Sequence, residues 1–294
     1  MHWLSQSDFK LHPEMKLGPV SLKVRDLELM LSFYEKDLGL KVLRRDENNV
    51  ELGPSEMATE PILILRHDPK AEKAPADAAG LYHYALLVPD RRGLAAAYLS
   101  LGNTEVVFDG FADHLVSEAL YLTDPEGNGI EIYADRPRSE WRFDEDGYVQ
   151  MATQPLDLDS LLKELSGVPH DSLTAIAGGT RVGHVHLKVT DIQRSIAFYQ
   201  NILGLDLMSY WGSAAFLSLG RYHHHIGMNT WESLGGPSRK NDWAGLDYFT
   251  ITIREENMRE LSSRLTGSSF LHGQGPSQLF VSDLDGIELV FKTS

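Results

Sequence analysis

Residues 17–40 and 182–205 carry one pattern twice, at a constant offset of 165, with eleven identities in twenty-four ungapped positions. Each copy starts as a strand (Leu17 to Val24; Val182 to Val189) and continues as an amphipathic helix. Each helix is closed by Leu-Gly-Leu, at Leu38-Gly39-Leu40 and Leu203-Gly204-Leu205. Phe33-Tyr34 falls on Phe198-Tyr199. A second pair keeps the same offset: Ala79 to Val88 matches Ala244 to Ile253. Helical segments follow at Arg91–Leu101 and Glu255–Leu265, and both copies end in acidic hairpins. A fixed period of this kind commits the chain to repeated supersecondary units that bury their apolar faces on one another. Four strand–helix–strands modules result, at 16–68, 79–136, 181–230 and 244–293. Two segments hold these modules, 16–136 with modules one and two and 179–294 with modules three and four, and 137–178 connects them. Leu156 to Leu165 predicts a short helix inside the connector.

Composition narrows the function. A formal net charge of −15 without a basic cluster argues against nucleic-acid binding. No run of about 18 apolar residues is present, so no membrane helix is expected. Met1 to Met15 lacks an apolar signal core, and a soluble, cytoplasmic protein is expected. Cysteine is absent, which excludes disulfides, thiolate metal sites and cysteine nucleophiles. Twelve histidines are many for this length, and several fall in strand-like segments.

The densest chemistry lies at 114–131. Leu120-Tyr121-Leu122 and Ile130-Glu131-Ile132-Tyr133 read as strands around the turn Asp124-Pro125-Glu126-Gly127-Asn128-Gly129. The hairpin brings His114, Tyr121 and Glu131 toward one region. Glu131 lies on the strand face opposite Ile130 and Ile132. Taken alone it is an exposed carboxylate, and His83 and His184 taken alone are core histidines. His186 shares the face of His184. The run His223-His224-His225 reads as a strand end in which His224 points opposite its neighbours. Asp144-Glu145-Asp146 reads as a solvated loop, and Thr230 to Trp243 as a long rim loop.

These four modules, with Gly183-His184 opening one and Asp124-Pro125-Glu126-Gly127 followed by Glu131 closing another, resemble the vicinal oxygen chelate superfamily. That superfamily includes glyoxalases, resistance proteins and type I extradiol dioxygenases. Residues 114–131 resemble the signature of the extradiol enzymes, with Ala112 standing where the pattern prefers Gly, Asn, Thr, Ile or Val. The resemblance implies an α+β fold of four βαβββ modules forming two half-open mixed β-barrels with outer helices. It also implies metal ligands on the first and last strands of modules. Module two offers His83 and Glu131, module three offers His184, module one has Pro19 at the ligand position, and module four has Tyr248 and Glu288. Only modules two and three together supply two histidines and one carboxylate, the facial set of non-heme Fe(II) oxygenases. They are therefore expected to share the functional barrel, while modules one and four form a metal-free one.

The implied activity is extradiol cleavage of a catechol-type aromatic diol with O₂. Fe(II) is the expected metal, with Mn(II) or another divalent ion as a substitute. His224 is the implied acid/base because Gly227 follows it by three positions, with His225 as its rival. His114 and Tyr121 are expected to bond substrate oxygens. The alternative is a glyoxalase-type lyase or isomerase, which needs a fourth ligand from His223–His225. A third reading is a small-molecule binding or resistance protein. The apolar edges of such barrels suit pairing into a homo-oligomer.

Overall fold

The computed structural model describes residues 8–169, 173–275 and 277–293. The expectation about a signal segment falls partly on residues 1–7, outside the described residues. Module one consists of β1 (Lys16–Val24), α1 (Leu27–Ser32), β2 (Lys41–Arg45), β3 (Asn49–Gly53) and β4 (Leu63–His67). Module two has β5 (Gly80–Leu87), α2 (Arg91–Leu101), β6 (Phe108–Asp113), β7 (Ser117–Thr123) and β8 (Gly129–Asp135). A short α3 (Leu158–Leu162) occupies the connector, where the helix was expected. Module three has β9 (Arg181–Lys188), α4 (Ile192–Ala197), β10 (Asp206–Tyr210), β11 (Ala214–Ser218) and β12 (Ile226–Asn229). Module four has β13 (Gly245–Ile253), α5 (Glu255–Leu265), β14 (Leu271–Gly275), β15 (Gln278–Ser282) and β16 (Glu288–Thr293).

Two eight-stranded mixed sheets hold these modules. One runs β10-β11-β12-β9-β5-β8-β7-β6, and the other β14-β15-β16-β13-β1-β4-β3-β2. Modules two and three thus share one curled sheet, and modules one and four share the other. Each sheet draws one module from either half of the sequence. The two central strands pair antiparallel in both cases, β5 with β9 and β1 with β13.

The repeated residues explain why the units form. Asp26 and Asp191, equivalent by the offset, cap α1 and α4 by accepting from the backbone N–H of Leu29 and Arg194, each at 3.0 Å. An acidic N-cap satisfies an otherwise orphaned donor of the first turn. Both helices end in a wider π turn, Phe33–Asp37 and Phe198–Ile202, which carries the repeated Phe-Tyr. The tyrosine then crosses to the neighbouring module. Tyr34 donates to Asp124 at 2.7 Å, and Tyr199 donates to Asp283 at 3.1 Å. Each aspartate also organises its own turn: Asp124 accepts from the N–H of Asn128, and Asp283 from that of Ile287, both at 2.9 Å. The sheets therefore join modules across the halves, while these buried tyrosine–aspartate bonds join modules within a half.

That burial has a measurable consequence. It pushes the Asp283 carboxyl up to about 7 from its ordinary value of 3.8. The folded state holds this proton more tightly than the unfolded chain does. The associated stability is complete below about pH 4 and is lost as pH rises toward 7. Asp283→Asn keeps an acceptor for the turn and removes the titration. Its melting temperature is expected to fall less steeply than the parent's between pH 4 and 7. Identical slopes in thermal melts would refute this.

Candidate metal centre and active site

Strand register builds the site. On β5, His83 and Ala85 point to one face. His83 lies opposite Gly129 of β8 and His186 of β9, and Ala85 lies opposite Glu131 and His184. The small Ala85 side chain leaves the space over the sheet that Glu131 and His184 lean into from either side. Glycine serves the neighbouring row. A Cβ on Gly129 would stand 2.2 Å from the Tyr82 carbonyl oxygen and 3.1 Å from the His83 Cβ. A Cβ on Gly183 would stand 1.9 Å from the Tyr133 hydroxyl, so only glycine before His184 admits that tyrosine.

His83, Glu131 and His184 form the group able to hold a metal among the described residues, and all three are buried. Glu131 Oε2 lies 3.0 Å from His83 Nε2 and 3.0 Å from His184 Nε2. The two imidazole nitrogens are 3.4 Å apart. Two ligands about 2.1 Å from one ion, at right angles, stand about 3 Å from each other. The donor atoms therefore have the spacing of adjacent ligands on one face of a divalent ion. Electrostatics agree with that role. Burial opposes the Glu131 charge, but His184 and His83 outweigh it and hold the carboxyl well below the usual range. Burial pushes His184 down to about 4 against the pull of Glu131. A carboxylate and neutral imidazole are the protonation states that metal ligation requires.

These residues lie in a cavity of about 570 Å³. His224 lines it, its ring 4.1 Å from that of His184 and 5.0 Å from Phe216. Burial, followed by the neighbouring histidines, pushes His224 well below the usual imidazole value. His225 points elsewhere: its Nδ1 is 2.7 Å from Ser218 Oγ, and it is not among the cavity residues. His223–His225 is also not a strand end. It lies in the buried loop before β12 begins at Ile226, so strand alternation does not set these rings.

Tyr121 stands beside Glu131 across β7 and β8. Its hydroxyl is 2.7 Å from His114 Nε2, and His114 Nδ1 is 2.7 Å from the Ala152 carbonyl. A carbonyl only accepts, so a neutral His114 donates from Nδ1 and accepts the Tyr121 proton on Nε2. Burial and the Glu131 charge push the phenol well above its ordinary 10.0, which keeps Tyr121 protonated.

Several cavity residues carried no sequence signal as site residues. Met151 and Thr153 come from the connector, which runs beside β6 through the paired backbones of Asp113 and Gln154. Trp211 and Trp231 flank the cavity and stay 42% and 51% exposed. Only Trp231 and Glu232 of the long rim loop reach it. Of Phe108–Phe111, Asp109 and Gly110 reach it, while both phenylalanines pack on Tyr98. Asp144–Asp146 is exposed, as expected of a solvated loop. In the other sheet, Pro19 and Tyr248 stand where His184 and His83 stand in this one. Glu288 there is bonded to Ser282 and His272.

The Glyoxalase/Bleomycin resistance protein/Dioxygenase superfamily matches residues 16–132 and 181–291, most of the chain. The chain belongs to this superfamily. A curated relative, catechol-2,3-dioxygenase of Bacillus subtilis (strain 168), is 40% identical over 254 residues, covering 85% of this chain and 87% of the relative. Glyoxalase I from Zea mays superimposes with a TM-score of 0.57 at 16% identity, covering 95% of this chain and 92% of that one. The cppA protein from Streptococcus pneumoniae TIGR4 superimposes with a TM-score of 0.59 at 13% identity, covering 95% and 100%. These two structures share the fold. Among the described residues no helix is long and apolar enough to cross a membrane.

Proposed function

We propose that this protein is an extradiol ring-cleaving dioxygenase that acts on a catechol-type aromatic diol with O₂ and uses Fe(II) held by His83, Glu131 and His184. The convergence of two imidazole nitrogens and one carboxylate oxygen on a single cavity carries this reading. The 40% identity to a catechol-2,3-dioxygenase supports it. When bound, Fe(II) supplies redox chemistry and open positions at which a vicinal diol and O₂ can meet.

The protein's own groups bind, orient and move protons. Phe216, Trp211 and His186 give the aromatic ring an apolar wall and keep water from it. His224 faces the cavity as a neutral imidazole and takes a proton from a substrate hydroxyl. It returns the proton to a product oxygen later, the work of a positioned general acid and base. Tyr121, its proton committed to His114, offers its oxygen as an acceptor to a substrate hydroxyl, and His114 fixes the direction of the phenol. Among the described residues no fourth histidine or carboxylate joins the metal group.

The test is anaerobic loading with Fe(II), followed by catechol and then air. A yellow, ring-opened product is expected. No product from catechol, 3-methylcatechol or 4-chlorocatechol, with one equivalent of metal verified in the protein, would overturn the reading.

A further inference from the structure

Behind His224 a line of hydrogen bonds leads away from the cavity. His224 Nδ1 is 2.8 Å from His223 Nδ1. His223 Nε2 is 2.9 Å from Asp135 Oδ1. Tyr222 donates to the same oxygen at 3.2 Å, and the Tyr133 hydroxyl lies 2.8 Å from that of Tyr222. His223 is fully buried and clamped between rings, 4.1 Å from Tyr222 and 5.2 Å from Trp141. Asp135 is on β8, four residues beyond Glu131 and on the same strand face.

With His223 and His224 both neutral, the donors and acceptors along this line have one consistent assignment. A carboxylate only accepts, so His223 carries its proton on Nε2 and gives it to Asp135. A neutral His223 then has only a lone pair on Nδ1. The short contact to His224 therefore needs the proton of His224 Nδ1. His224 is left with a bare Nε2, the nitrogen available to the cavity. A carboxylate two hydrogen bonds away thus selects which nitrogen of His224 is the base. The same logic holds wherever a buried carboxylate orients an imidazole through its second nitrogen.

We propose that Asp135 and His223 are positioning residues that fix the ring orientation and tautomer of His224, so that its unprotonated Nε2 meets the substrate hydroxyl. This rests on the reading that His224 takes the substrate proton, which moves from the hydroxyl oxygen to Nε2. One strand, β8, then supplies both a metal ligand and the group that aims the base.

The test reads tautomers directly and needs no turnover. Full-length protein carrying ¹⁵N-histidine and diamagnetic Zn(II) is examined by long-range ¹H–¹⁵N correlation. His223 and His224 are assigned by difference from their glutamine variants. The expected pattern is opposite tautomers: His224 protonated at Nδ1 and His223 at Nε2. Asp135→Leu should shift the His224 pattern and lower kcat for catechol about tenfold to a hundredfold, at unchanged KM and metal content. Asp135→Glu should recover part of both. His223→Phe, which keeps a ring in the slot, should act like Asp135→Leu and serves where the leucine variant does not fold. An Nε2-protonated His224 in the parent protein would overturn the proposal, and so would an Asp135→Leu variant with unchanged tautomer and kcat. The expected tautomers in a parent that turns over no catechol would sustain the tautomer assignment and sink the dioxygenase reading instead.

Discussion

Glu131→Ala is expected to lose the metal and, with it, at least about 10³-fold of the turnover, a larger loss than removal of a partner that only orients a ligand. Glu131 is the one anion in the group, and both imidazoles converge on its Oε2. Without it, two buried neutral rings face a divalent ion with no charge to offset the ion's desolvation. His184→Ala should behave alike, because it removes the ligand that module three contributes. Metal content after gel filtration is the direct measurement. Thermal melts give a second one. Parent protein at a metal concentration about a hundredfold over Kd should gain about 2.7 kcal/mol of stability, and neither variant should gain it. A Glu131→Ala protein that keeps a full equivalent of metal would eliminate the proposed ligand set.

How far this site was legible depends on what fixed each residue. Where the repeat and the strand register fix direction, sequence suffices. Asp26 and Asp191 share the offset and both cap helices. Glu131 lies between two isoleucines that point into the core, so its own direction followed from alternation. The joining of modules two and three was also accessible, because the candidate ligands were split between them. It is seen in the antiparallel β5–β9 seam that puts Ala85 between Glu131 and His184. The histidine run was less legible. His223, His224 and His225 are not in a strand, and their rings are aimed by Asp135, by one another and by Ser218. No period in the sequence encodes such bonds. Connector residues were hidden for a related reason. Met151 and Thr153 reach the cavity because an irregular segment pairs with Asp113, a contact between residues with no periodic signature. Trp211 and Trp231 sit at loop positions, where a large exposed ring is unremarkable until the cavity beside it is seen.

His224→Phe is expected to lower kcat by about 10² to 10⁴, the range that a positioned acid/base contributes, while metal content stays at the parent level. The phenyl ring occupies nearly the same slot between His184 and Phe216, so the apolar wall survives and only the two nitrogens are lost. One of them is structural. His223 Nδ1 loses its donor, and an unsatisfied buried acceptor costs about 1–3 kcal/mol. A modest drop in melting temperature should therefore accompany the kinetic loss. His225→Phe separates the two effects. His225 bonds Ser218 outside the cavity, so this variant should be less stable by a similar amount yet keep kcat within about twofold of the parent. Steady-state oxygen uptake with catechol, on metal-quantified samples of both variants, measures the contrast. If His225→Phe were the inactive one, the acid/base role would belong to the other ring, and the hydrogen-bonded line through His223 to Asp135 would serve stability alone.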